Sequence, residues 1–264
     1  MNRLTKRLSD LKKDNDKALV AYLVAGDPDI DTTVELMKLF VASGVDIIEI
    51  GVPFTDPIAE GPIIQKAHDR ALKNNISLES IYKMVGEFRK HDDETPLVLM
   101  GYLNTFIFHK KLIEVNQDNA IDSILVVDIP GELKLEDYGI KNQNINTISL
   151  ISPTTKKDRV ESIAKNSTGF VYYVTLRGVT GASNLDVNEI NTNIEDIKKH
   201  ALVPTLAGFG IKSTEDAKLL SEYADGVIIG SSIVQMIEEN SNSKEFDRIG
   251  KYITEIKQAI SWII

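Results

Sequence analysis

The chain has 264 residues, with 30 basic against 39 acidic side chains, no cysteine and four histidines. That length suits one α/β barrel or two small domains and can bury a core without covalent staples, while the net charge of −9 argues against a polyanion such as nucleic acid as partner. The lack of cysteine excludes disulfides, thiolate metal sites and a thiol nucleophile; His68, His91, His109 and His200 have no metal-ligating spacing and read as surface or structural residues.

At the N-terminus, "MNRLTKRLSDLKKDNDK" places Leu4, Leu8 and Leu11 at helical spacing among charges, which predicts an amphipathic helix and lacks the apolar stretch of a signal peptide. It reads as a helix capping the bottom of a barrel, a membrane-surface helix being the other use of such a pattern. No apolar run approaches the ~20 residues a membrane span needs, so a soluble, cytoplasmic protein is expected. Eight apolar, β-branched runs then follow in order. They are "ALVAYLVAG" (18–26), "VDIIEIG" (45–51), "PLVLMGY" (96–102), "SILVVDIP" (123–130), "INTISLIS" (145–152), "GFVYYVT" (169–175), "LVPTLAG" (202–208) and "DGVIIG" (225–230). Nearly continuous apolar runs suit strands buried on both faces, as parallel strands are. Between them, helical periodicity predicts helices over 31–44, 63–72, 77–91, 155–166, 214–223 and 246–263. Alternation of this kind implies parallel strands with crossover helices. Eight repeats predict an α/β fold, a (β/α)8 TIM barrel forming a single domain over residues 1–264, with an extra N-terminal helix and a short phosphate-binding helix after strand 8. An open doubly wound sheet is the other arrangement of such a pattern.

In a barrel of this kind the loops after the strands form the reaction face, and phosphate is commonly held near the last strands. Glycines fall there: "GVTG" with Thr180 and Gly181 after the sixth strand, "GFG" (208–210) after the seventh and "GSS" (230–232) after the eighth. Glycine lets backbone N–H groups approach an anion, and a helix beginning at Ser231 would turn its positive dipole end toward it. A single glycine turn is often only a strand end; three on neighbouring strands form one cradle of backbone donors.

The stretch "IIEIGVPFTDPIAEGPIIQ" (47–65) concentrates three carboxylates. Glu49 is flanked by strand interior, where burial disfavours the charged form and raises the pKa into a range useful for proton transfer. If Glu49 points into the barrel, Ile48 and Ile50 point out toward the helices; a Glu49 pointing outward into a salt bridge is the plainer alternative. Asp56 and Glu60 stand in the next loop, which Pro53 and Pro57 stiffen before Gly61-Pro62 delivers the chain into a helix. Both could also be solvated loop acids. The acids lack the alternating spacing of a calcium loop, so no metal is expected.

"IEIGVPFTDPIAEGPIIQKA" resembles the signature of the tryptophan synthase alpha subunit family. The resemblance extends in order through "LVAGDPD", "VLMGYLNTF", "VVDIPGE", "GVTGA", "AGFGI" and "GSSIV", and so spans nearly the whole chain. It implies a (β/α)8 barrel that cleaves indole-3-glycerol phosphate to indole and glyceraldehyde 3-phosphate with no cofactor of its own. Carried over by position, the resemblance makes Glu49 the acid–base group and Glu60 the second catalytic carboxylate, set against the indole N–H. It makes Tyr172 a neighbour of the reacting centre and Thr180, Gly181, Gly210, Gly230 and Ser231 the phosphate site. Tyr22, Met100, Leu125, Ile151, Phe209 and Ile228 become walls of the indole slot. It further implies an αββα complex with a beta subunit that carries pyridoxal phosphate and receives the indole, with the loops 53–61 and 176–190 as coupling elements that meet at Asp56 and Thr180. Two departures stand out: Glu60 replaces the usual aspartate, and Tyr22 the usual phenylalanine. An extra methylene moves an oxygen by about 1 Å, a misplacement that can cost ~100-fold in rate. Two alternatives follow. Another sugar-phosphate barrel enzyme would need a polar pocket in place of Met100, Leu125, Ile151 and Phe209. A chiefly regulatory alpha subunit would have its chemistry impaired by Glu60.

Overall fold

The computed structural model describes residues 2–116, 120–141, 144–175, 187–208 and 210–261. Eight strands, β1 (Ala18–Val24), β2 (Ile47–Gly51), β3 (Leu97–Gly101), β4 (Ser123–Val126), β5 (Asn146–Ile151), β6 (Val171–Val174), β7 (Thr205–Gly208) and β8 (Gly226–Ile229), form a closed barrel in sequence order. Each strand pairs in parallel with the next, and β8 closes on β1. All eight expected strands are present. The pairing is shorter than the apolar runs because proline and polar residues end it: Pro204, for example, has no N–H for the ladder, and β7 begins one residue later.

Around the barrel run α1 (Arg3–Lys13), α2 (Ile30–Ala42), α3 (Pro62–Lys73), α4 (Leu78–Arg89), α5 (Leu103–Phe108), α6 (Lys110–Val115), α7 (Lys157–Asn166), α8 (Val187–His200), α9 (Thr214–Ser221), α10 (Ser231–Asn240) and α11 (Asp247–Ile260). The helices α5, α6 and α8 are not among those expected from the sequence. The first two have six residues each and no side-chain cap, too short for periodicity to register. For α8 a signal existed: Ile190, Ile194 and Ile197 recur on one face and are buried, but asparagines dilute the helical composition around them.

Strand alternation divides the core in two. Ile48, Ile50, Leu99, Ile124 and Tyr173 face outward and pack with the helices. Val20, Ile47, Val98, Leu125, Ile148 and Leu206 fill the barrel interior, which Leu4, Leu8 and Leu11 of α1 close from below, the position expected for the N-terminal helix. Acids at the starts of even strands tie them to the odd strand before. Asp46, Asp122 and Asp225 accept the N–H of Leu19, Leu97 and Thr205 at 2.7, 3.0 and 2.8 Å. Before β6 the hydroxyl of Thr168 takes the same part toward Thr147 N at 2.8 Å. Asp46 is fully buried, and Lys257 at 3.0 Å and Arg7 supply its countercharge.

Candidate active site

The strands open at their C-terminal ends into a cavity of about 310 Å³. Glu49 stands in the middle of β2, paired with Tyr22 of β1 and Val98 of β3, and is 2% exposed. It points inward and lines the cavity, with Ile48 and Ile50 outward, as alternation requires. Burial, and secondarily the charge of Glu60, push its carboxyl up to about 8. Its Oε1 has no hydrogen-bond partner. A buried, neutral carboxylic acid with a free oxygen on a cavity wall is equipped to give a proton and, once ionised, to take one back.

The loop after β2 returns Glu60 to the same cavity at 8% exposure. Tyr102, just past β3, donates its hydroxyl proton to Glu60 Oε2 and accepts the Ala59 N–H at 3.0 Å. Burial raises the Glu60 pKa and this hydrogen bond opposes the rise. Phe54, earlier in the loop, stacks on the Tyr102 ring at 4.5 Å between centroids. Gln65 of α3 donates to the Glu60 carbonyl at 2.9 Å. The second carboxylate is thus held from both its backbone and its side chain.

The slot between the acids is apolar, walled by Tyr22, Met100, Tyr172 and Ile228, all anticipated, together with Val127, Leu150 and Val174, which were not. Glycine is required at the end of β2, where a Cβ on Gly51 would overlap the Tyr22 hydroxyl. Two expected wall residues lie elsewhere. Ile151 faces outward into the layer beneath the helices, because Leu150 pairs with the inward Tyr172 and the alternation puts its successor on the other face. Leu125 points inward but is fully buried in the layer with Val98 and Ile148; the cavity wall is made by Val127, two residues on.

Gly210, Gly230 and Ser231 meet at the far end of the cavity. Ser231 begins the ten-residue α10, whose start has no side-chain cap, as an anion-binding helix terminus requires. Gly210 takes a positive φ of 74°, a conformation that favours glycine. Thr180, Gly181 and Phe209 lie outside the described residues, as does the loop 176–190 up to Val187. Asp56 is exposed, and its carboxylate accepts from the Thr55 hydroxyl at 2.8 Å. Among the described residues no group of three or more His, Asp or Glu side chains is placed to hold a metal ion, and no helix is long and apolar enough to cross a membrane.

Two buried acids over an apolar slot, with an uncapped helix start at its end, define a (β/α)8 enzyme of the acid–base class for a ligand with a flat apolar body and an anionic tail. The family model for the tryptophan synthase alpha chain matches residues 8–261. The tryptophan synthase alpha chain of Nitrosomonas europaea is 43% identical over 263 residues, covering 98% of this chain and 96% of the relative. The solved alpha subunit of Legionella pneumophila superposes with a TM-score of 0.87 at 36% identity, covering 98% of each chain. A solved structure of the tryptophan synthase a2b2 complex of Pyrococcus furiosus gives 0.81 at 36% identity, covering 91% of this chain and 98% of that one. The chain belongs to the tryptophan synthase alpha chain family, the carbon–carbon lyases that cleave indole-3-glycerol phosphate to indole and glyceraldehyde 3-phosphate.

Proposed function

We propose that Glu49 is the proton shuttle of this cleavage and Glu60 its partner carboxylate, working together in the cavity above β2. Neutral Glu49 gives its proton to indole C3, and positive charge develops on the ring nitrogen. Glu60, fixed by Tyr102, accepts a hydrogen bond from the ring N–H and stabilises that charge. Glu49, now ionised, takes the proton of the C3′ hydroxyl. The C3′ oxygen forms its carbonyl, the C3–C3′ bond breaks, and its electron pair returns to the ring. Indole and glyceraldehyde 3-phosphate leave, and Glu49 is protonated again. The observation that carries this reading is Glu49: buried, raised to about 8, and presenting an unpartnered oxygen to the cavity.

The phosphate group of the substrate would lie at Gly210, Gly230 and Ser231, with Thr180 and Gly181 completing the cradle. The indole would fill the slot between Tyr22, Met100, Leu150, Tyr172 and Ile228, with Phe209 beside it. The apolar wall favours this over a sugar-phosphate enzyme with a polar pocket.

The same reading includes a cytoplasmic αββα assembly, in which a beta subunit holding pyridoxal phosphate receives the indole. Exposed apolar residues support it: Ile58 (84%), Phe108 (82%) and Leu133 (43%) sit in the segments after β2, β3 and β4, on the face where the cavity opens. A partner there would bear on the loop 53–61, where Asp56 would meet Thr180 of the loop 176–190. The test is steady-state indole release from indole-3-glycerol phosphate, with the chain alone and with the beta subunit. Release that rises on adding the beta subunit supports both parts; no release in either case overturns the cleavage.

A further inference from the structure

Behind the cavity, His68 of α3 is 1% exposed and touches two elements at once. Its Nδ1 accepts the Phe54 N–H at 3.0 Å, and its Nε2 faces the Tyr22 hydroxyl at 3.4 Å. Burial holds the imidazole down at about 4, so it is neutral at pH 7. A neutral imidazole carries one ring proton. Because Nδ1 faces a donor, that proton is on Nε2, and His68 donates to Tyr22. The surroundings are apolar: Ala67, Ala71, Val24 and Val234 pack around the Tyr22 ring. A buried polar ring costs stability in such a place unless its hydrogen bonds are made, so leucine would pack there with less to satisfy. What the imidazole supplies is geometry.

That geometry leads to the second carboxylate. Phe54, whose N–H His68 receives, stacks on Tyr102 with the ring planes 13° apart, and Tyr102 donates to Glu60. Resting on the reading of Glu60 as the partner carboxylate, we propose that His68 is a positioning residue for Glu60, acting through Phe54 and Tyr102, with the Tyr22 hydroxyl as its anchor on the barrel wall. The backbone bond at Nδ1 carries the effect; the bond at Nε2 sets the tautomer that makes Nδ1 an acceptor.

The two ring nitrogens can be tested separately, because asparagine places an acceptor where Nδ1 stands, whereas glutamine reaches only the place of Nε2. In the full chain, kcat and KM for indole-3-glycerol phosphate are measured for His68→Asn, His68→Gln, Glu60→Gln and His68→Gln with Glu60→Gln. His68→Gln should lower kcat about tenfold or more, the scale of a sub-ångström to 1 Å displacement, with KM nearly unchanged, and His68→Asn should restore most of the loss. In the Glu60→Gln background His68→Gln should have no further effect on kcat. The proposal is overturned if His68→Gln keeps full kcat, if both His68 variants lose it equally, or if the loss persists undiminished without the Glu60 carboxylate. Full activity in Glu60→Gln itself would instead remove the role of Glu60, a result separable from the others.

Discussion

The Tyr102 hydroxyl donates to the Glu60 carboxylate, joining the end of β3 to the loop after β2 directly over the cavity. This bond bears on the extra methylene. From the sequence alone, Glu60→Asp would be expected to keep or raise kcat by returning to the usual residue. The contact with Tyr102 reverses that expectation, since a shorter side chain must let go of either the tyrosine or the substrate. Glu60→Asp should lower kcat about tenfold or more, the cost of misplacing one group by about 1 Å. Tyr102→Phe should lower it in the same direction. Steady-state kinetics of both variants check this; an Asp variant as fast as the parent would show that the loop adjusts.

Glu49 has a stability consequence of definite sign. Its folded pKa, about 8, lies above the ordinary carboxyl value of 4.5. Its contribution to stability is therefore fully present below about pH 4.5 and is lost as pH rises through about 8, because only the unfolded chain ionises freely in between. Glu49→Gln cannot ionise and should be more stable than the parent at pH 9, with the advantage gone at pH 4. Melting temperatures of the two proteins across that range measure it. The catalytic counterpart is a fall in kcat/KM above about pH 8, as the free enzyme loses the proton it must give.

At the opposite end of the barrel, Asp46 and Asp225 make the same backbone bond in different surroundings. Asp46 is fully buried with Lys257 and Arg7, whereas the Asp225 side chain is 41% exposed and paired with Lys198. Asp46→Ala leaves the buried Leu19 N–H without its acceptor, while Lys257 keeps Asp16 at 2.9 Å, and should cost about 2 to 3 kcal/mol. Asp225→Ala should cost about 1 kcal/mol, as for an exposed pair and one hydrogen bond. Denaturant unfolding of both variants decides; equal losses would contradict the account of burial.

Gly230 offers a test of the phosphate cradle. A Cβ there would meet nothing closer than Tyr22 Cβ at 3.4 Å, so the protein side has room and added bulk would intrude on the cavity. Gly230→Val should raise KM for indole-3-glycerol phosphate about tenfold or more, the loss of one or two good contacts, with kcat at saturation much less affected. An unchanged KM would place the phosphate elsewhere.

The barrel was legible because eight buried strands each leave an apolar run; alternation put Glu49 on the face opposite Ile48 and Ile50 but left open which face was inward, and the fold decides it. The phase of β5 was not legible either: "SLI" offers Leu150 and Ile151 with equal hydrophobicity, and only pairing with Tyr172 decides which faces in. The contacts of Tyr102 and of His68, which read only as a surface or structural histidine, were hidden for another reason. Their partners, Glu60 and Phe54, lie 42 and 14 residues away and meet them only once the loop has folded back. Long-range polar contacts of this kind leave no periodic trace in the sequence. The length of Glu60 was visible as a departure, while its support was not.

The central claim, that Glu49 moves the proton, is tested most directly by indole release from indole-3-glycerol phosphate in Glu49→Gln, with binding of glyceraldehyde 3-phosphate measured in the same preparation. The account predicts that cleavage falls to background while the product binds as in the parent. Turnover retained within about tenfold, less than the 10²–10⁴ usual for a general acid–base, would contradict it.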